Sequence, residues 1–560
     1  MGSLLKQKFL NIINRDNEKE VKYLRTLHEI FIKIKRPFLL LFIPILLLLL
    51  MEIYFYKFSP DDTYIVLRYA HNLFLGNGLT YNSDGKPVEG YSCFLWVLYS
   101  SLAFLFNIKP LDFIKISGMI LSLINLFLLF NLSSKFDNNE DNHFIRLLPI
   151  YLLCLSPNYA LWAVGGLETQ MFITFLLIST ISFLRYRDKR SNTNSFLLGL
   201  SFLLLSLTRH EGVLIFILTV LYHVLSRRKN FLSELKAISY PFVIFLLPYM
   251  IYFYWRISYY GYFFPNSFYA KNQHFLGTVV SNVGFYYTPI LGLLVFLFVF
   301  IIFAYLLNSK NKQQVEGLNY LLLISLFIVS LSISLSSWMP GFRYMVPAMP
   351  LVFILSKEGY KNVITKLNDK TISRNLHKIT VKMLVTLFVL AFIFSPLIYL
   401  TPFTVSRTNH FIKLQNSNIE LAYWIKTYIP QNSTLALGEV GFIPYYTEMR
   451  IVDIHTQPLT DEYLAHNGFN VEYVLDKSPD IIIFKYEEIE KKFIREELYD
   501  ALGNDYTFLF KMHFSGSYSY YIYKHRDLKL IAGAMEDLPK SASRSVEVLR
   551  KKYNQKGAKI

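Results

Sequence analysis

Charge is scarce in this chain of 560 residues: only 17% are Asp, Glu, Lys or Arg, against about a quarter in a soluble globular domain. That deficit argues against an ordinary soluble protein. Cysteine is nearly absent. Cys93 and Cys154 are the only two, both beside or within apolar stretches, so there is no disulfide framework. No internal repeat or low-complexity tract stands out. Nor does the chain show a Cys/His metal spacing, a phosphate-binding P-loop or a nucleophile elbow. The glycine-rich turn expected of a soluble nucleotide-sugar enzyme is missing as well. Met1-Gly2-Ser3 opens like a myristoylation signal, but Lys6 stands where that signal needs Ser or Thr.

What the chain has instead is long apolar segments, at about 37–56, 92–107, 113–132, 144–163, 169–184, 195–208, 212–226, 238–256, 283–307, 318–336, 344–356 and 383–400. A helix needs about 20 apolar residues to cross roughly 30 Å of hydrocarbon. The first segment is too long for a signal-peptide core and lacks a small-residue cleavage site, so it reads as a retained span. The 41 Tyr and 49 Phe suit helices ending at bilayer interfaces. The net charge of +17 follows from the positive-inside rule without any nucleic-acid partner. Residues 1–36, Arg185–Arg190, Arg227–Lys229, Lys310–Lys312 and Lys357–Lys382 are the basic, cytoplasmic loops. Loops 57–91, 165–168, 208–211, 257–282 and 337–343 then face the other side, with everything after Leu400. Parity requires one segment not to cross, and 92–107, the shortest of its group, is the choice. The expectation is a polytopic α-helical membrane protein of about eleven spans, N-terminus cytoplasmic, in a cell (inner) membrane.

From about 401 the pattern changes to an amphipathic helix (417–428), strands at 434–439, 450–454, 480–484 and 518–523, and a helix over 487–502. This reads as an extracytoplasmic soluble α/β domain, 401–525. A polar, basic tail, 526–560, is suited to anionic headgroups.

Several residues on the outer side could carry chemistry. Ser59, Pro60 and Asp62 fit a capping box, which leaves Asp61 unexplained. Helical spacing sets Asp61, Ile65 and Arg68 on one stripe, with His71 a turn beyond. Adjacent carboxylates on a helix point about 100° apart, so a facing glycosidase pair is not expected. Glu89, Glu168, the cluster Arg209-His210-Glu211, then Asn266, Tyr269, Lys271 and Arg343 follow in successive outer loops. Each alone is also what an interface anchor looks like. Together, ionisable groups at membrane depth suggest a site for an anionic ligand.

The stretches Asp61–Ala70, Gly76–Asn82, Val88–Trp96, Gly166–Thr169, Leu207–Gly212, Phe264–Lys271 and Arg343–Pro347 occur in order. In them the chain resembles the GT-C membrane glycosyltransferases that use polyprenyl-phosphate sugars, especially the bacterial group around the terminal arabinofuranosyltransferase of cell-wall assembly. His210 stands where relatives often have Pro, and Ser92-Cys93 where they often have Thr and a small or polar residue. The resemblance implies a GT-C transmembrane domain over 37–400 with a catalytic aspartate in its first outer loop, matching Asp61 or Asp62. It implies Arg68, Arg209, Lys271 and Arg343 as donor-phosphate ligands, and His71, Glu89, Glu168, His210, Glu211, Asn266 and Tyr269 as substrate contacts. The donor would be a polyprenyl-phosphate sugar and the acceptor a glycan, glycolipid or protein. A divalent metal occurs in part of the family. The competing reading is a flippase or exporter of lipid-linked sugars.

Overall fold

The computed structural model describes residues 41–137, 143–272, 312–334, 339–368, 401–513 and 518–543. The apolar segments at 283–307 and 383–400 lie outside them. Leu41–Phe55 forms α1. It is followed by α2 (Asp61–Phe74), α3 (Phe94–Leu105), α4 (Pro110–Ser134), α5 (His143–Cys154), α6 (Pro157–Val164), α7 (Thr169–Asp188), α8 (Asn192–Thr208), α9 (Glu211–Ser226), α10 (Phe231–Tyr260) and α11 (Asn266–Asn272). Then come α12 (Lys312–Ser334), α13 (Met349–Asn368) and α14 (Thr401–Tyr428).

Four of the described helices, at 110–134, 169–188, 231–260 and 314–333, are long and apolar enough to cross a membrane. A fifth span results if α5 and α6 count as one, bent by 56°. The apolar segment expected over 144–163 is thus two helices that meet at a bend. Pro157 opens α6, a first-turn position where its missing N–H costs no helical hydrogen bond. Helix α3 has 12 residues, about 18 Å at the α-helical rise and too short to cross.

The C-terminal region folds as a seven-stranded sheet, order β2-β1-β3-β6-β5-β7, with β4 paired to β3. The strands are β1 (Thr434–Leu437), β2 (Arg450–Asp453), β3 (Ile481–Glu487), β4 (Lys492–Phe493), β5 (Tyr506–His513), β6 (Tyr518–His525) and β7 (Ala542–Ser543). β1, β2 and β3 run parallel and the rest are antiparallel. The two-residue period sorts the faces. Leu435, Leu437, Ile481, Ile483, Tyr520 and Ile522 join the core of the membrane helices. Ala436, Val452, Ile482, Phe484 and Tyr521 form a smaller core on the other face. The sheet is thus seated on the helical domain.

Three expectations for this region need correction. The amphipathic helix is longer than 417–428, since α14 begins at Thr401. The helix expected over 487–502 is instead the end of β3, β4 and a short helix, Glu496–Asp500. The composition there favours a helix, but Lys491 and Arg495 take left-handed backbone (φ 53° and 79°), and pairing with β3 satisfies the backbone groups. The tail is no free basic segment over 526–543. Ile531 N donates to Tyr428 O (3.0 Å), Trp424 Nε1 donates to Ala534 O (3.1 Å), and Ala542–Ser543 adds an edge strand.

Candidate active site

The seam between α2 and the sheet decides what each aspartate does. Pro60 is the N-cap of α2, and no side chain caps the helix. The expected capping box is absent. Ser59 N donates to Gln415 Oε1 of α14 instead (3.1 Å). Asp61 turns to the C-terminal domain, where its Oδ1 accepts from Phe442 N (2.8 Å), at the start of α15 (Phe442–Thr447). A Cβ on Gly441 would stand 2.1 Å from Asp61 O and 2.5 Å from its carboxyl carbon, so only glycine permits the approach. Burial, then the Glu439 carboxylate, pushes Asp61 well above the usual carboxylate range, against the lowering by Phe442 N–H. A carboxyl raised in the folded state makes stability fall as pH climbs from the ordinary carboxylate value through its folded pKa. Asp61→Asn keeps the acceptor oxygen and drops the charge. Its thermal midpoint is expected to match wild type in acid and exceed it in alkali, a difference read by unfolding scans across pH.

Asp62 points the other way, into a cleft of about 470 Å³ (counted to its open mouth) lined by Ile65, Ser92, Glu168, Ser267 and Arg343 among others. Arg343 Nη1 is 3.8 Å from Asp62 Oδ2. Arg343 Nη2 and Arg209 Nη1 share Glu168 Oε1, at 2.6 and 2.8 Å. Glu211 Oε1 takes Arg209 Nη2 (2.6 Å). The guanidiniums also lie on aromatic faces, Arg209 over Tyr344 (4.9 Å) and Arg343 over Trp162 (5.6 Å). Hydrogen bonds between loops hold the cluster: Thr63 Oγ1 to Gly165 O (2.8 Å), Trp96 Nε1 to Gly166 O (3.0 Å) and Trp162 Nε1 to Gly341 O (3.2 Å).

A second groove, about 400 Å³ by the same measure, meets the cleft at Arg343 and Tyr344. Its walls are apolar, from Phe172 of α7, Ile215 of α9, Ile328 and Leu331 of α12, and Pro347. The amino ends of α7 and α9, at Thr169 and Glu211, open into it. Helix amino ends favour negative charge. Arg343 Nε and Thr169 Oγ1 are buried without a hydrogen-bond partner among the described residues. Buried donors left open in this way ask for a ligand or water. The lining, apolar walls with cations and helix amino ends at one end, matches in chemistry an apolar chain headed by an anion.

Of the residues singled out from sequence, Asp62, Glu168, Arg209, Glu211 and Arg343 come together here. The others do not. Arg68 is a seam residue: its Nε donates to Tyr81 O (2.8 Å), Nη1 to Pro444 O, and Nη2 to Met449 O (2.7 Å) and Asn82 Oδ1 (3.2 Å). Four of its five N–H groups are thus taken by carbonyl oxygens within the seam, and the side chain is absent from the linings of both clefts. Glu89 is buried in a two-point pair with Arg256 (2.9 and 2.6 Å). Asn266 Nδ2 donates to Leu459 O (2.8 Å), and Tyr269 packs on His466 (ring centroids 4.0 Å apart). His71 stacks on Phe104 (4.9 Å). His210 Nε2 is buried with no partner among the described residues and is absent from the linings of both clefts. The side chain of Lys271 lies outside the described residues. Sequence reasoning missed Gln415, Glu439 and Lys485. Glu439 follows β1 closely, and nothing local in the sequence linked it to Asp61.

Among the described residues no group of three or more His, Cys, Asp or Glu side chains is placed to hold a metal ion. The partner 3.8 Å from Asp62 is a cation, so the described residues around Asp62 do not fit a metal centre.

Residues 409–523 match the model of a domain of unknown function (DUF8728). No curated protein matches the chain in sequence. In structure the chain is similar to ArnT from Cupriavidus metallidurans bound to undecaprenyl phosphate, with a TM-score of 0.57, 12% identity, and 89% of this chain and 99% of that one covered. The apo state of ArnT aligns at 0.54, 12% identity, and 85% and 97%. An oligosaccharyltransferase of Archaeoglobus fulgidus aligns at 0.48, 12% identity, and 85% and 72%. The fold is of the GT-C kind. The likeness to GT-C glycosyltransferases read from the sequence thus holds for the fold of nearly the whole chain.

Proposed function

We propose that the protein is a glycosyltransferase that moves a sugar from a polyprenyl-phosphate carrier to an acceptor hydroxyl on the outer face of the cell membrane. The observation that carries this reading is the junction at Arg343. There a polar cleft holding Asp62 meets an apolar groove whose head has two guanidiniums, two helix amino ends and buried donors without partners. The carrier's first isoprene units lie along Phe172, Ile215, Ile328 and Leu331. Its phosphate takes the open hydrogen bonds of Arg343 Nε and Thr169 Oγ1. The undecaprenyl phosphate bound to the structurally similar ArnT supports this ligand class.

In the reaction the acceptor oxygen attacks the anomeric carbon and the bond from that carbon to the phosphate oxygen breaks. Asp62 takes the hydroxyl proton, and the polyprenyl phosphate departs as an anion. Its charge grows as the bond breaks, so the cations and helix ends at the groove stabilise the transition state more than the ground state. One displacement inverts the anomeric centre. Glu168 and Glu211 hold the two arginines in place rather than touch the sugar. The cytoplasmic N-terminus and the outer position of the sheet domain belong to the same reading.

The test is binding of polyprenyl phosphate to the full chain in lipid nanodiscs. Arg343→Gln removes a charged donor to a phosphate and is expected to weaken binding about tenfold or more. Unchanged affinity in a folded variant would remove the phosphate from this position.

A further inference from the structure

The sheet has a pocket of its own, distinct from the Asp62 cleft. The chain leaves β1 through α15 to β2 on one side. It returns to β3 on the other, through two short helices, Glu462–Asn467 and Val471–Asp476. The path therefore reverses at β1, and in open parallel sheets ligands sit outside the carboxyl ends of the strands at such a reversal. A pocket of about 630 Å³, counted to its mouth and including open solvent, lies there. Gly438 and Glu439 after β1 and His455 and Thr456 after β2 form its rim, with Lys485 of β3 and Tyr520 of β6 beneath.

The rim is built and held. The buried Asp453 carboxylate accepts from His455 N (3.0 Å), Leu459 N (2.8 Å) and Thr460 N (2.9 Å). His455 Nδ1 in turn accepts from Gln457 N (2.9 Å). Such a loop needs little ordering when a ligand arrives. Lys485 Nζ donates to Glu439 Oε1 (2.9 Å), and both side chains remain reachable, 31% and 22% exposed. Ile443, Ile454, Ile483 and Ile494 supply apolar wall around them.

This charge balance selects the ligand. A phosphate or carboxylate would face Glu439, and a purely apolar molecule would strip water from the ion pair without replacing its hydrogen bonds. A neutral polyhydroxyl compound does neither, since its hydroxyls donate to Glu439 and accept from Lys485 while its C–H faces rest on the isoleucines. Two residues beyond Glu439, the chain meets Asp61, the neighbour of Asp62, so pocket and cleft flank one contact. We propose that this pocket binds a neutral saccharide residue, which on the transferase reading given above belongs to the acceptor glycan.

The experiment is saturation-transfer NMR on the full chain in lipid nanodiscs, with a panel of neutral methyl pyranosides and furanosides as probes. At least one glycoside is expected to give signal with wild type. Ile494→Trp, which fills the pocket from a half-buried wall position, is expected to cut that signal at least tenfold while polyprenyl-phosphate binding is kept. Glu439→Gln is expected to weaken it similarly, and Asp62→Asn to leave it unchanged. No signal from any glycoside with wild type, or full signal from Ile494→Trp, overturns the proposal. Glycoside binding that follows this pattern without any donor-dependent transfer upholds the saccharide pocket and removes the transferase reading.

Discussion

Asp62→Asn is expected to lower sugar transfer by about 10²–10⁴-fold, the usual contribution of a positioned general base, with carrier binding unchanged. The asparagine keeps the shape of the cleft and an acceptor oxygen but cannot take a proton from the attacking hydroxyl. Asp61→Asn is the control that gives the experiment its meaning. Asp61 accepts from Phe442 N at the seam and lies outside the cleft lining, so its variant should retain most of the transfer rate. In cells, a profile of glycans and lipid-linked sugars should follow the same order. Asp62→Asn should match deletion, with a terminal sugar missing and its polyprenyl donor accumulated. Transfer kept by Asp62→Asn and lost by Asp61→Asn would exchange the two roles. Unchanged glycans with either would favour a transporter of lipid-linked sugars.

Arg68→Met is expected to destabilise the protein by about 3–5 kcal/mol. The guanidinium joins Tyr81 O in the segment between α2 and α3 to Pro444 O and Met449 O of the C-terminal domain. Removing it leaves three buried carbonyls without that donor. Asn82 would lose support too, and its side chain pairs with both Ile451 N (3.1 Å) and Ile451 O (2.9 Å) on the outer edge of β2, closing an edge that could otherwise pair elsewhere. Arg68→Lys should rescue little, because a single ammonium cannot reach carbonyls spread around a planar fork. Thermal unfolding of the purified chain measures both variants. A phosphate ligand at this position would behave oppositely, with stability kept, carrier affinity lowered and partial rescue by lysine.

The two arginines illustrate how far local sequence reaches. Arg68 and Arg343 are both cations beside apolar helices, and both fit a phosphate by composition. They separate only because Pro444 and Met449 arrive against α2 from almost 380 residues away, while Glu168 and Trp162 hold Arg343 at the head of a groove. The aspartates divide in the same way. Helical geometry alone states that Asp61 and Asp62 diverge by about 100°. Which of them meets the cleft depends on where the Gly441–Phe442 amides come to rest. Pro157 alone did not announce the bend at Ser156–Pro157, since Pro241 and Pro248 lie inside the continuous α10. Nor was the hairpin over 487–495 legible, because its residues favour a helix and only pairing with β3 overrides them.

By itself the sequence determined the membrane character, the sheet-bearing C-terminal region and the inter-helix segments from which the site is drawn. These follow from hydropathy, side-chain period and loop charge, which are local or additive properties of the chain. Only the tertiary structure decided which ionisable groups are ligands and which are seams. That outcome depends on contacts between residues hundreds of positions apart, such as the Phe442 amide 2.8 Å from Asp61 and the Met449 carbonyl 2.7 Å from Arg68, which tie those side chains to the seam.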